Sequence, residues 1–312
     1  MSILVVGSVA LDSVETPFNK VEKVLGGAAV YFSMSARFFC PVRMVGVIGE
    51  DFPQKHMVTL RKAGIDTGGV EKKSGKTFFW HGRYHLNMNR RDTLKTELGV
   101  FADFKPKIPK EWKKSPFVFL ANIDPELQLD VLKQVKKPRL VACDTMDFWI
   151  KGKPRELSKL LKKVDILVIN EEETRMLGNK PSLLKSAQTV RKMGPKCLIV
   201  KQGEYGALLF TDAGIFASPA LLLEKVVDPT GAGDSFAGGF MGILSASPVV
   251  DDNTFRQAVI MGSVMASFTV QDFSIKRLAK VTAYDIEARY NQFVALTRFP
   301  EWNANTVGLR RN

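Results

Sequence analysis

An α/β fold with a mostly parallel sheet is predicted by two features of the chain. Short, near-continuous apolar runs recur along it, each closed by a polar or turn cluster and followed by a helical pattern, which is how strands covered on both faces read. The residues closing those runs are repeatedly Asn, Asp, Glu and Lys, which places a polar crevice along the carboxyl edge of the sheet, where open parallel sheets bind ligands.

The first run, ILVVGSVALD (3–12), reads as a strand rather than a secretion signal, because no basic residues precede it and Asp12 cuts it short. LGGAAVYFSMSARFF (25–39) sets a glycine pair before a helix, and MVGVIGED (44–51) is the next strand. TFFWHGRYHL (77–86) breaks the rhythm, alternating aromatic and polar residues with no helix after it, so a small separate β element is expected near the front of the chain. Within it Phe79, His81 and Arg83 cannot share a face with Phe78, Trp80 and Gly82, and one set is expected to face a ligand. FVFLANIDPE (117–126), LVACDTMDFW (140–149), DILVINEEE (165–173) and CLIVKQGEYG (197–206) supply further strands. Their ends carry Asn122 and Asp124, Asp144 and Asp147, Asn170 with Glu171 to Glu173, and Lys201 with Gln202; Asp228 follows. Any one of these is readily a helix cap or turn residue, but their succession favours a shared crevice. No internal repeat, low-complexity segment or linker interrupts the chain, and the polar tail PEWNANTVGLRRN (300–312) is expected to be partly disordered.

Composition narrows the function classes. The 45 Lys and Arg outnumber 32 Asp and Glu, a net charge of +13 that favours anionic partners. The excess lies partly in KPKIPKEWKK (105–114) and KGKPRELSKLLKK (151–163), where lysines alternate with helix formers and prolines as on a solvated surface. No nucleic-acid-binding signature accompanies them, so nucleic acid is not expected as a partner. Cys40, Cys143 and Cys197 lack any CxxC pairing and read as core thiols in a reducing compartment. The most apolar window, 226–250, contains Asp228, Asp234 and several glycines, which a bilayer would penalise; no membrane partner and a cytoplasmic location are expected.

The stretch DPTGAGDSFAGGF (228–240) carries the most chemistry. A glycine-rich turn feeding a helix leaves backbone N–H groups unpaired at the positive end of the helix dipole, which makes an anion site. Gly231, Ala232 and Gly233 have little side chain to obstruct it, and Asp234 falls at the first turn of a helix expected over Ser235 to Leu244. A bland alternative makes Asp234 a simple N-cap, with Gly238 and Gly239 aiding helix packing. An N-cap alone leaves the glycines on both sides of the carboxylate unexplained, whereas a base beside an anion hole accounts for the carboxylate and for those glycines. The chain has no GxxxxGK[ST] loop, no protein-kinase loop set and no GxGxxG after its first strand, so P-loop, protein-kinase and dinucleotide-dependent chemistries lose their case.

DPTGAGDSFAGGF resembles the C-terminal signature of the ribokinase/PfkB carbohydrate kinase family, whose members phosphorylate hydroxyls of sugars and nucleosides with ATP. GSVALD (7–12), the glycine pair of LGGAAVYFSMSARFF, VGVIGEDFPQ (45–54), NEEE (170–173) and KQGEYGALLF (201–210) support the resemblance in order along almost the whole chain. It implies one ribokinase-like kinase domain over 1–312, a three-layer α/β/α sandwich with a mostly parallel central sheet. It also implies a small β lid formed by segments 13–25 and 74–104. Asp234 matches the catalytic base, and the amides of Gly231, Ala232, Gly233 and Asp234 match the anion hole. Asp12, Gly26 and Gly27 match the motifs that bind the acceptor's hydroxyls. Asn170 and Glu173 match an N-x-x-E motif that helps hold Mg²⁺ and the phosphates, through water where the metal keeps its shell. Lys201, Gly203 and Gly206 fall in the loop on the ATP side; many relatives have Thr at the position of Lys201, where a lysine could contact a phosphate. Asp228 lies near the monovalent-cation site of some relatives, making potassium a further candidate, and lids of this family often pair into homodimers.

The acceptor stays open between a sugar and a nucleoside with a free primary hydroxyl. Phe78, Phe79, Trp80, Tyr84 and Met88 could stack on a nucleobase or form the surface on which a lid closes. Arg83, Arg90 and Arg91 could bind an acidic group on the acceptor, Arg83 being the candidate carried forward; His81 and His85 read as structural. A catalytically silent nucleotide- or sugar-binding regulator on the same fold is the alternative from another class, and the intact glycine loop speaks against it.

Overall fold

The apolar residues Ile3–Val6 form strand β1 and are wholly buried, since both faces of the sheet they join are covered. The structure, a computed structural model, describes residues 1–300, so beyond Pro300 the expectation of a partly disordered tail falls outside the described residues. The run expected as one strand over 3–12 is divided. After Gly7, packed so closely on Ala121 that an added Cβ would lie 2.7 Å from that side chain's own, the chain turns and Ala10–Glu15 (β2) enters a different sheet. Apolar periodicity registers burial and not which sheet a segment joins.

Strand β3 (Lys20–Gly26) returns beside β2, and α1 (Ala28–Ala36) starts from Gly27, whose φ of 101° only glycine adopts without strain. Then come β4 (Val42–Ile48), α2 (Gln54–Lys62), β5 (Ile65–Lys72), β6 (Phe78–Tyr84) and β7 (Arg91–Glu97). The alternating part of the chain supplies β8 (Phe117–Leu120), α3 (Pro125–Gln134), β9 (Leu140–Cys143), α4 (Asp147–Gly152), α5 (Pro154–Leu161) and β10 (Ile166–Asn170). It continues with α6 (Glu171–Gly178), α7 (Leu183–Arg191), β11 (Cys197–Lys201), the hairpin β12 (Ala207–Thr211) and β13 (Gly214–Ser218), α8 (Ala232–Ala246), α9 (Asp252–Thr269) and α10 (Ala283–Thr297).

The main sheet has nine strands in the order β13-β12-β11-β10-β9-β8-β1-β4-β5, parallel except at the β11-β12-β13 end. Odd residues of β1, Ile3 and Val5, pack with residues of α1, α2, α8, α9 and α10 on one face; Leu4 and Val6 pack with residues of α3, α4, α5 and α7 on the other. This is the three-layer α/β/α sandwich that the strand pattern predicts. Among the described residues no helix is long and apolar enough to cross a membrane, and Cys40, Cys143 and Cys197 are buried, unbridged thiols.

The small sheet, ordered β3-β2-β6-β7, stands over the crevice as a lid, antiparallel except where β2 and β6 run together. Its strands split two sets of side chains. Glu15 on the outer face binds Arg83 at 2.8 Å and His81 at 3.1 Å, with Lys20 at 3.6 Å, so any second copy docking there meets a charged surface. Asp12 and Trp80, paired across β2 and β6, share the inner face with Tyr84.

Helix α8 begins three residues before the expected Ser235, at Ala232, and runs to Ala246. Gly231, at φ 77°, is its N-cap, and the glycine-rich stretch read as loop winds into its first turn; Asp234 is therefore inside the helix and not its cap. The later glycines serve packing: a Cβ at Gly238 would collide with Phe32 O of α1, and one at Gly239 would lie 2.8 Å from Met261 O of α9. Bland and functional readings of this stretch thus apply to different glycines.

Candidate active site

Asp234 is the third residue of α8, where the first-turn N–H groups have no partner within the helix. The expected anion hole is smaller than its four residues, since the Ala232 N–H donates to Pro229 O at 3.1 Å. No backbone carbonyl takes the N–H groups of Gly233 and Asp234, which stay directed beyond the helix end. Gly231 is required for a second reason: a Cβ there would strike the ring of Tyr31, which packs flat beneath the turn.

The ends of β9, β10 and β11 bring three charged groups to this helix terminus. Lys201 Nζ lies 3.4 Å from Asp144 Oδ2, and a Cβ added to Gly233 would lie only 2.9 Å from that ammonium. Lys201, expected in the loop on the ATP side where a lysine could contact a phosphate, lies against the N-terminus of α8. Its neighbour across β10 and β11 is Asn170, and Asn170 and Glu173 close a reciprocal capping box: each side chain accepts from the other's backbone N–H at 2.8 Å. The N-x-x-E motif is therefore first of all a helix start, and of the two Glu173 carboxylate oxygens only Oε2 is used in the box.

Burial pushes the Asp234 carboxyl up to about 7, with Asp144 adding to the rise and Lys201 and Arg91 opposing it. Glu173 is likewise raised to about 7, by burial and then by Asp144. Burial alone would lower the Lys201 ammonium, but Asp144, Glu173 and Asp234 overcome it and hold the group above its ordinary value. A carboxyl titrating near neutrality beside a fixed cation and free N–H groups can exchange a proton with a substrate hydroxyl while negative charge is held alongside.

On the other side of Asp234 the lid contributes Asp12. Its Oδ2 occupies the space a Cβ at Gly26 would need, and the Gly27 N–H reaches it, so the glycine pair shapes a carboxylate pocket. Burial pushes Asp12 up to about 8, helped by Asp228 and Asp234. Trp80 covers Gly82, where any side chain would run into its indole ring, and Tyr84 OH is 3.2 Å from Thr230 Oγ1 in the loop before α8. Arg83 does not join this group: it stands on the outer face, spent on Glu15, because strand alternation turns it away from Asp12 and Trp80. The arginine that faces inward is Arg91, opposite Tyr84 in β7 and 5.9 Å from the Trp80 ring.

Gly203 and Gly206, at φ 60° and 100°, bend the loop after β11, where a Cβ on Gly206 would collide with Ser218 O. Asn89 from the lid tip sits against Gly203. Asp228 Oδ1 accepts from Thr230 N at 2.9 Å, while its Oδ2 is buried with no hydrogen-bond partner, and burial pushes the group up to about 6. Among the described residues no three His, Cys, Asp or Glu side chains converge as a ready metal cage. Isolated carboxylates such as Glu173 suit a hydrated Mg²⁺ arriving with phosphates.

Asp144 stood out in the sequence only as one polar strand end among several, and Tyr31 not at all. Tyr31 lies one helical turn after Gly27, a spacing that could have placed it beside the glycine pair; its buried hydroxyl has no hydrogen-bond partner.

Residues 2–277 match the pfkB family carbohydrate kinase. The chain is 31% identical over 252 residues to the cytidine kinase of Thermococcus kodakarensis, covering 77% of this chain and 87% of that protein. Its fold is similar to that of the nucleoside kinase of Methanocaldococcus jannaschii, with a TM-score of 0.76 at 20% identity, over 93% of this chain and 98% of that one. It is also similar to aminoimidazole riboside kinase from Salmonella enterica, solved with aminoimidazole riboside and an ATP analogue, with a TM-score of 0.74 at 19% identity, over 93% and 100% of the two chains.

Proposed function

The chain belongs to the pfkB family of carbohydrate kinases, sugar and nucleoside kinases that use ATP with Mg²⁺, and from that premise we propose that it phosphorylates the primary hydroxyl of a nucleoside. The observation that carries the chemistry is Asp234, half-buried, raised to about 7, and set in the first turn of α8 between Lys201 and the Asp12 pocket.

In this reading Asp234 takes the proton of the acceptor hydroxyl as its oxygen attacks the γ-phosphorus. The bond from that phosphorus to the bridging oxygen of the β-phosphate breaks, and ADP leaves with the electron pair. The N–H groups of Gly233 and Asp234 and the Lys201 ammonium hold the charge of the phosphoryl group in transit. Mg²⁺ supplies charge neutralisation of the phosphates when bound, and Glu173, with Asn170 beside it, would hold its water shell. Asp228 Oδ2, a buried carboxylate oxygen without a hydrogen bond, suits a monovalent cation such as potassium.

Two features support a nucleoside as acceptor. Asp12 can accept two ribose hydroxyls at once, with Gly26 and Gly27 letting the ring approach the backbone. Trp80, across the strand pair from Asp12, offers an aromatic face to the base on the same side of the lid. The similarity to a cytidine kinase and to nucleoside kinases points the same way. Closure of the lid excludes water, which would otherwise compete as acceptor.

ADP release from Mg·ATP across a panel of nucleosides, sugars, sugar acids and sugar phosphates, beside Asp234→Asn, tests the proposal. Strong turnover with a nucleoside, lost in the variant, is the expected result. Turnover confined to sugar phosphates would reassign the acceptor, and silence with ATP still bound would favour a binding protein.

A further inference from the structure

Asp144 has no part in the proposed transfer, yet it is a buried carboxylate near the N-terminus of α8, where it adds to the rise in Asp234. It follows β9, and its side chain reaches over the end of β10 to the last residue of β11. The surrounding chain fixes it. Gln128 Nε2 donates to the Asp144 carbonyl at 3.1 Å, and Asp144 Oδ1 accepts from Thr145 N at 2.7 Å, which leaves Oδ2 for Lys201.

The contact with Lys201, 3.4 Å, is long for a charge-assisted hydrogen bond, which runs at about 2.7–2.9 Å. An ammonium has three donors, so Lys201 retains capacity for a further anion while tethered. Its flexible stem would otherwise let it turn to Glu173 or Asp234, the other carboxylates that act on it. Pairing with Asp234 would occupy the base. A carboxylate placed across the sheet edge at the end of β9, which is not itself the base, avoids this.

Resting on the reading of Asp234 as base, we propose that Asp144 is a positioning residue for phosphoryl transfer: it holds Lys201 Nζ against Gly233, clear of the base, where the ammonium meets the γ-phosphate. This goes beyond Lys201 as a loop residue on the ATP side, since the cation is tethered by a residue that need never touch the nucleotide.

A double-mutant cycle of Asp144→Asn and Lys201→Met separates this from a structural role. The first arm needs no turnover: titration with ADP and with its non-hydrolysable β,γ-imido triphosphate counterpart. Lys201→Met should weaken the triphosphate analogue about tenfold or more relative to ADP. Asp144→Asn should weaken the analogue relative to ADP by about threefold in the wild-type background and leave the ratio unchanged in the Lys201→Met background. In the second arm, with the best acceptor, Asp144→Asn should lower kcat about tenfold or more while KM for ATP stays within about threefold, and should have little further effect when added to Lys201→Met.

An unchanged analogue-to-ADP ratio in Lys201→Met, or additive effects of the two substitutions, would overturn the proposal. Should Asp144→Asn fail to fold by circular dichroism, Asp144→Glu, which keeps the charge and displaces it by one methylene, runs the same cycle. Wild-type silence with every acceptor would count against the kinase reading alone, because the nucleotide arm still decides the role of Lys201 and Asp144.

Discussion

Asn89 Nδ2 donates to Glu204 Oε1 at 2.9 Å, joining the lid tip to the loop after β11 across 115 residues of chain. The two surfaces fit tightly, since a side chain on Gly203 would strike Asn89 Oδ1. With the Tyr84–Thr230 contact at 3.2 Å, the lid is tied both to the loop after β11 and to the segment before α8. Asn89→Ala should therefore raise KM for the acceptor several-fold at saturating ATP, because one exposed hydrogen bond to a carboxylate contributes about 1 kcal/mol, and leave the melting temperature nearly unchanged. Steady-state kinetics beside a thermal melt checks this; an unaltered acceptor KM would uncouple the lid tip from closure.

With Asp234 raised to about 7, the fraction of ionised base grows as pH rises through neutrality. The acceptor's kcat/KM should climb from about pH 6 and level off only above about 8, with a limb steeper than one proton where Glu173, also near 7, titrates with it. Asp234→Asn should lower kcat by about 10²–10⁴-fold with the fold intact. A flat profile in the wild type would remove the raised carboxyl from the rate-limiting proton transfer.

Which parts of this site could be read before the fold was known follows from the kind of signal each part leaves. Gly231, Gly233 and Asp234 stand together in the chain, so the proposed anion site and base can be read from one local stretch. The buried strands announce themselves equally well, because residues such as Ile166–Asn170 are apolar on both faces up to the terminal polar residue. The Asp144–Lys201 contact joins residues 57 apart that no local pattern relates. Arg83 and Arg91 look equivalent in sequence; only the register Glu15↔Arg83 and Tyr84↔Arg91 decides which faces the crevice. The division of residues 3–12 between two sheets was hidden for the same reason, since both halves are buried and apolar.

Asp12 also predicts an unusual stability profile. Its folded-state value of about 8 lies above the ordinary carboxyl value of 3.8, so the folded protein binds this proton more tightly than the unfolded chain. The contribution to stability is fully present below about pH 4 and is lost as pH rises through about 8. Asp12→Asn, which keeps an acceptor for the Gly27 N–H but carries no charge, should raise the apo melting temperature at about pH 8.5 by a few degrees, with the gap narrowing towards about pH 5. Melts of both proteins across that range provide the check. A constant difference would mean that Asp12 is not buried as an ionisable group in the free protein.

The two carboxylate oxygens of Asp228 have different fates. Oδ1 caps the turn into the anion site by accepting from Thr230 N at 2.9 Å, so its position is set by the fold, while Oδ2 is buried with no hydrogen-bond partner. An ionised oxygen in that condition costs stability unless a cation shares the site. Potassium bound there would keep Asp228 ionised and hold the 228–231 turn, and with it Gly231 at φ 77° and the first N–H groups of α8. Turnover should accordingly rise several-fold when potassium replaces a bulky organic cation at constant ionic strength, and the apo melting temperature should rise with it. Asp228→Asn retains the bond to Thr230 N but places an amide where the free oxygen was, so it should abolish the potassium response in both measurements without unfolding the protein. Equal potassium stimulation of wild type and variant would place the cation elsewhere, and no stimulation in either would leave Asp228 as a turn residue alone.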